Sequence, residues 1–362
     1  MRSSYLAEDV VLLLKDITGM VSPQPTEERE RLIQSGRHYS EMLPVEYVPT
    51  EKYMAVYREA LARYAGQVAK AVGELSRRIM ASRGRDVVLV SLARAGIPAG
   101  ILVRRYIQRY YGVNVPHYAI SIIRGRGIDG NAMGYLLDRY KPGQLLFVDG
   151  WIGKGAILGE LEKDVGAYPG VSPEIAVLAD PAGVTELRGT PEDILIPSSC
   201  LNSTVSGLIS RTVLREDIIG EKDFHGAVYY GELKDSDLSY HFIETVEGCF
   251  SPTVEEDLTC PGGSGFAGKE KASCTGGGIR EVGEIAAYFG IQDINFVKPG
   301  IGETTRVLLR RVPWKVLIGD RYRGDPELGH VVRLAEEKQV PVEYYPLTRY
   351  KCCGIIKKIA DA

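Results

Sequence analysis

In QLLFVDGWIGKGAILGEL, residues 144–161, an apolar run ends at Asp149 and the chain turns through Gly150, Gly153, Lys154 and Gly155 into a segment of helical composition. Glycines let backbone N–H groups come close to an anion. N–H groups at a helix start, backed by the helix dipole and a lysine, favour phosphate. An aspartate at the strand end is placed to accept hydrogen bonds from sugar hydroxyls. The loop therefore suits a sugar phosphate. Two other readings stand beside it: a plain tight turn, and a degenerate nucleoside-triphosphate loop. The latter lacks the required spacing and the Ser or Thr that follows Gly-Lys.

Two further loops carry charge. VVLVSLARAGIPAGILV, residues 87–103, passes from a strand into a helix through Arg94, Ala95 and Gly96. Small residues there permit close backbone approach, and Arg94 offers a fork of donors to an oxyanion. IIRGRGIDGNAMG, residues 122–134, combines Arg124 and Arg126 with glycines and Asp129, which describes a mobile cationic flap or a solvated hairpin tip. Farther on, Asp180 follows an apolar run, and Ser198, Ser199, Asn202, Ser203, Thr204 and Ser206 form a hydroxyl-rich stretch suited to capping a helix or recognising a base or phosphate.

The six cysteines form no Cys-x-x-Cys pair, so reduced thiols are expected. A zinc site drawn from Cys249, Cys260 and Cys274 lacks the short ligand spacing such sites use. Cys200, with His225 or His241 as base, is a candidate nucleophile, since a thiol near a helix start can have a lowered pKa. No local protease signature surrounds it, and free cysteines are commonly buried. The nucleophile reading expects Cys200 to be alkylated much faster than the other five.

LLFVDGWIGKGAI resembles the ribose-phosphate fingerprint of type I phosphoribosyltransferases, and the 87–103 segment resembles that family's pyrophosphate loop. The resemblance implies a parallel-sheet body with helices on both faces. It implies transfer of a phosphoribosyl group from phosphoribosyl pyrophosphate to a base, with magnesium neutralising the pyrophosphate. In that scheme Asp149 binds ribose and, indirectly, the metal. Gly153, Lys154 and Gly155 hold the 5′-phosphate, Arg94 with Ala95 and Gly96 grips pyrophosphate, Arg124 and Arg126 close the site, and Asp180 adds a substrate contact. The chain departs from the family at Gly150, where a second acid is usual, and at Gly-Lys-Gly in place of Thr-Thr-Gly. That missing acid favours an alternative, a nucleotide sensor that binds RNA without chemistry.

Residues 296–355 resemble the RNA-binding domain shared by Pelota, eukaryotic release factors and kink-turn-binding ribosomal proteins. That family's Gly-x-Asn-Glu-x-Thr-Lys segment aligns with Gly300, Glu303, Thr305 and Arg306, while Gly302 replaces the asparagine. The resemblance implies that these residues contact RNA. The hydroxyl-rich stretch after Asp180, HYSEMLPVEYVP near residue 38 and the FVDGWIGKGAI loop make the body resemble the StiP family, associated with bacterial stress or tellurium-resistance gene clusters, whose members are often labelled cysteine proteases; the resemblance covers nearly the whole chain. That label is the third functional alternative.

The elements that must position these residues follow from periodicity. Tyr53, Tyr57, Ala60, Leu61, Tyr64, Val68, Val72, Leu75 and Ile79 recur at helical spacing, predicting a helix over 50–82, capped by Thr50 and stopped by Gly84. Short apolar strands alternating with helices follow to residue 180, which predicts a parallel sheet with ligands at the strands' carboxyl ends. Residues 251–279 read as a glycine-rich linker, which divides the chain into a body over 1–250, its first 82 residues helical, and an RNA-binding domain over 280–362. The smaller domain is expected to be an α/β sandwich, with a last helix around RYKCCGIIKKI.

Net charge is −3, yet residues 279–362 hold 14 Lys and Arg against 11 Asp and Glu. This mild excess points the same way as the RNA motif. No apolar run approaches the roughly 18 residues that span a bilayer. MRSSYLAEDVVLLLKDI carries acids inside its apolar stretch, so it reads as a helix and not as a secretory signal. A cytoplasmic protein is expected, with no membrane partner.

Overall fold

Parallel strands covered on both faces must be apolar along their whole length, and Val88–Ala93, His117–Ile123, Leu145–Trp151 and Ile175–Ala179 meet that demand. In the computed structural model, which describes residues 1–253 and 276–356, they form the centre of a parallel sheet. Its order is Val11–Leu12, His117–Ile123, Val88–Ala93, Leu145–Trp151, Ile175–Ala179, Arg188–Thr190. Helices Glu51–Arg83, Gly96–Tyr111 and Ser239–Glu247 pack one face through Val68, Val72, Leu102 and Phe242. Gly130–Leu137 and Ala156–Val165 cover the other through Met133, Leu136, Leu161 and Val165. The mostly parallel α/β body is as expected.

The long helix begins after Thr50, but the Thr50 side chain makes no cap hydrogen bond. Gly84 ends it at φ +69°, a conformation that costs glycine little. The expected helix at the N-terminus is absent. Val11–Leu12 adds a parallel strand to the sheet edge beside Tyr118 and Ala119, and Lys15–Asp16 pairs with Gly226–Ala227. Leu13 N–H also donates to the Ala119 carbonyl at 2.9 Å. An open edge gave this apolar, β-branched stretch backbone partners that an isolated helix would not have reached.

Beyond residue 276 the chain forms a four-stranded sheet in the order Val297–Pro299, Cys352–Ile355, Lys315–Gly319, Val342–Tyr345. Helices Gly277–Tyr288, Gly300–Arg310 and Gly329–Glu337 accompany it. The expected last helix is instead the strand Cys352–Ile355, antiparallel to both neighbours. Its side chains are fully buried there, so sheet pairing outweighed helical periodicity. Most of the glycine-rich stretch expected as a linker, and Lys357 onward, lie outside the described residues.

The two halves share one apolar core. Ile301, Leu308 and Leu309 of the 300–310 helix join Tyr57, Leu195 and Ile196 of the body in the same buried cluster. Tyr53 Oη donates to the Leu309 carbonyl at 2.7 Å, and Tyr64 Oη to that of Glu327 at 2.9 Å. An interface of this apolar character holds domains in a fixed relation.

Candidate functional site

Gly96 brings the first loop against the sheet. A Cβ on it would lie 2.4 Å from the Val148 carbonyl oxygen and 3.1 Å from Asp149 Cα, so only glycine lets the 94–96 turn sit beside the strand carrying Asp149. Arg94, Ala95, Asp149, Gly150 and Trp151 consequently open on one cavity of about 230 Å³ at the strands' carboxyl ends. The opposite wall is Ser198, Ser199, Leu201 and Asn202. The roof comes from the C-terminal half: Gly302, Glu303 and Arg306.

Asp149 accepts from its neighbour's Gly150 N–H at 2.7 Å, and burial raises its pKa to about 7. Arg94 donates to the Ile209 carbonyl at 2.7 Å and reaches Asn202 Oδ1 at 3.4 Å. Arg310 also donates to Asn202. Partial desolvation and the neighbouring guanidiniums lower the pKa of both Arg310 and Arg306, although each residue keeps an exposed face. Three like charges thus converge here, because the loop after one body strand faces the 300–310 helix.

The structure separates other expected site residues from this cavity. Lys154 Nζ donates to the Val297 carbonyl at 2.8 Å and pairs with Glu303 at 3.5 Å, so its charge is occupied across the domain junction. Tyr350 Oη donates to the Gly153 carbonyl, and a Cβ on Gly155 would lie 3.0 Å from Ile279 Cδ1. The 153–155 turn is therefore packed beneath the C-terminal half. Arg124 bonds Asn295 Oδ1 at 2.7 Å and Arg126 bonds Glu41 Oε1 at 2.7 Å. Both are tied to other elements as the chain makes a short hairpin, Ile122 pairing with Ile128. Asp180 is fully buried, and its carboxylate accepts from the N–H groups of Gly183, Val184 and Thr185 at 2.7–2.9 Å. It shapes a turn.

Of the RNA-motif residues, Gly300 and Thr305 are buried, Gly302 and Glu303 are half-buried, and Arg306 is exposed. Thr305 is buried, its Oγ1 2.8 Å from His330 Nε2. Gly300, at φ +80°, lies against Asp193 and the Trp151 ring. Sequence reasoning did not single out Asp193, whose carboxylate accepts from Ile301 N–H at 3.1 and 3.2 Å and from Lys351 N–H at 2.8 Å. It caps the first turn of the 300–310 helix from the other half of the molecule. A lone acid in PEDILIP carries no local sign of so distant a role. Asp193→Ala leaves these amides without acceptors and is expected to cost about 2–5 kcal/mol. Thermal melting and faster hydrogen exchange at Ile301 and Lys351 check it; exchange unchanged at both amides refutes it.

Cys200 ends the 3₁₀ turn Pro197–Cys200, between the cavity-lining Ser199 and Leu201. The thiol itself is buried, and burial pushes its pKa up to about 12 against a smaller opposing pull from Arg310. Tyr57, coupled electrostatically to Cys200, has its Oη 3.3 Å from His241 Nδ1. His225 lies elsewhere, 2.9 Å from Ser121 Oγ. The expected rapid alkylation of Cys200 therefore does not suit this conformation. About one thiol in 10⁴ is ionised at pH 8 for such a pKa. Among the described cysteines Cys249 alone is exposed, and peptide mapping after brief iodoacetamide treatment should find it modified well before Cys200, Cys352 or Cys353.

Among the described residues no three His, Cys, Asp or Glu side chains gather as a metal site, and no helix is long and apolar enough to cross a membrane. With Gly150 beside Asp149 and Glu303 paired to Lys154, the acids present do not form the expected magnesium site, and no step below is routed through that ion. Cys260 and Cys274, two of the three cysteines weighed as zinc ligands, lie outside the described residues.

Residues 3–247 match the family described as "Tellurite-like stress resistance cysteine protease StiP", and residues 277–358 match the PELOTA RNA binding domain. Over 368 aligned residues the chain is 34% identical to the cysteine protease StiP of Acinetobacter baylyi, covering 98% of this chain and 94% of that relative. These similarities overturn phosphoribosyl transfer as the activity, with phosphoribosyl pyrophosphate or a nucleotide as partner, and they favour the protease alternative. The loop that suggested a sugar phosphate has its lysine and its glycine turn engaged in domain packing.

Proposed function

Because the chain belongs to the StiP family, we propose that it is a thiol peptidase whose nucleophile is Cys200 and whose base is His241. One observation carries the choice of cysteine: among the described cysteines, Cys200 is the one whose chain neighbours on both sides line the cavity. Arg310 supplies positive potential that favours a thiolate, and Tyr57 bridges towards His241.

In this reading the conformation described is the resting one, with the thiol covered and protonated. Engagement of a polypeptide turns the Pro197–Cys200 segment so that Sγ enters the cavity. The proton passes to His241, and the thiolate attacks the peptide carbonyl to form a thioester. The amine leaves with the proton that His241 returns, and water then hydrolyses the thioester to a carboxylic acid and the free thiol. His241→Ala should lower kcat by about 10²–10⁴-fold without altering the melting temperature, as expected for loss of a general base. The test is turnover of a fluorescence-quenched peptide library by the wild type and Cys200→Ser. Hydrolysis that survives the cysteine substitution refutes the assignment.

A further inference from the structure

Arg306, exposed at the cavity roof, carries a charge that no ion pair among the described residues compensates. Arg306 has no hydrogen-bond or ion-pair partner among the described residues, although Arg94 and Arg310 stand near it. The nearest acids reach it only through space: Glu303 is paired with Lys154, and Glu46 accepts from the Ser203 N–H at 3.3 Å. Asp149 has a pKa of about 7 and so holds only part of its charge at neutral pH. Two buried polar groups, Ser199 Oγ and Trp151 Nε1, also lack partners, and both residues line this cavity. A buried hydroxyl or indole N–H without an acceptor is uncommon and calls for an explanation. Gly302 adds space at the same place, since a Cβ there would come within 3.5 Å of Ser199 Oγ.

Apart from these charged and donor groups and the polar Ser198, Asn202 and Ser206, the lining is apolar, with Leu178, Ile194, Ile196, Val205 and Phe242 among it. A matching ligand therefore presents an apolar body and an oxyanion within a small volume. A terminal or acidic residue of a polypeptide has that form. We propose that the cavity is a carboxylate-recognition subsite for polypeptide, with Arg306 of the C-terminal half as its principal cation and Ser199 and Trp151 as donors. The inference rests on the peptidase reading and names the chemistry its substrate presents. It also gives the RNA-motif positions Gly302, Glu303 and Arg306 a different task, that of completing a site on the neighbouring half.

The test uses the full chain carrying Cys200→Ser, so that binding is read without turnover. Fluorescence anisotropy compares three labelled peptides of one apolar sequence: a free C-terminal carboxylate, a C-terminal amide, and an amide with one internal glutamate. At least a tenfold preference for either acid over the neutral amide is expected, and which acid is preferred identifies the α-carboxylate or the side chain as the group held. Arg306→Ala should remove that preference and Arg306→Lys should restore part of it. Equal binding of all three peptides overturns the proposal without requiring any arginine variant to fold. Arg306-dependent binding of a single-stranded RNA that the acidic peptides fail to displace also overturns it. Wild-type hydrolysis that depends on Cys200, alongside carboxylate-blind binding, rejects this subsite alone. Hydrolysis independent of Cys200 rejects the nucleophile assignment and leaves the binding result to stand separately.

Discussion

Replacing Cys200 with serine should lower peptide hydrolysis by at least about 10³-fold while leaving the fold intact, because a hydroxyl at the same site is a far weaker nucleophile without a dedicated activating network. The site tolerates the change sterically, since sulfur gives way to a smaller oxygen. The hydroxyl replaces a thiol buried beside Tyr57, so melting should fall only slightly. Cys249→Ser serves as the paired control: it is exposed and away from the cavity, and its activity should match the wild type. The resting thiol adds a kinetic signature. With a pKa near 12, Cys200 should resist iodoacetamide in the free protein and become susceptible when a peptide substrate is present. Full hydrolysis by Cys200→Ser contradicts the mechanism, as does sensitivity that follows Cys249.

The second large effect is on stability and comes from Asp149. An unfolded aspartate takes up its proton near 3.8 and the native one near 7, so across that interval the native state holds more protons than the unfolded state. Native stability consequently falls as pH rises from about 4 to 7, and the contribution is fully present only below the lower value. Asp149→Asn removes the titration while keeping the acceptor for Gly150 N–H. Its stability relative to wild type should therefore improve with pH through this window, by on the order of 2–4 kcal/mol in total. The lower figure applies if solvent in the cavity screens the charge. Urea unfolding at pH 4, 5.5, 7 and 8 measures the difference; parallel curves for the two proteins would show that the carboxyl ionises normally.

Much of the body was legible because parallel strands need continuous apolar runs and their covering helices need a one-sided stripe. LLFV and IAVLA could serve in little else, and the spacing from Tyr57 to Ile79 marks a single buried face. Legibility failed where the partner decided the structure. Val11–Leu12 became an edge strand because His117–Ile123 offered open backbone groups, and Cys352–Ile355 became a strand because it fills the gap between two others. Arg94 and Asp149 share one cavity, and glycine and small residues mark that close approach locally in the sequence. The partners of Lys154 and Arg126 could not be read, because a cation's partner, here Val297 or Glu41, is chosen in space and leaves no trace in the neighbouring sequence.

The amino-acid order by itself determined the α/β body, a smaller C-terminal domain carrying an RNA-binding signature, and the cation and acid at the ends of adjacent strands. These follow from periodicity and turn chemistry, which act over a few residues. Tertiary structure alone decided that the signature helix turns inward, capped by Asp193, and that Arg306 completes a cavity begun by Arg94. It also decided that the 153–155 turn is roofed over and that Cys200 is buried. The reason is a shared apolar core: once Ile301 and Leu308 pack against Leu195 and Ile196, every polar group on the joined surfaces must find its partner, or its ligand, across the junction.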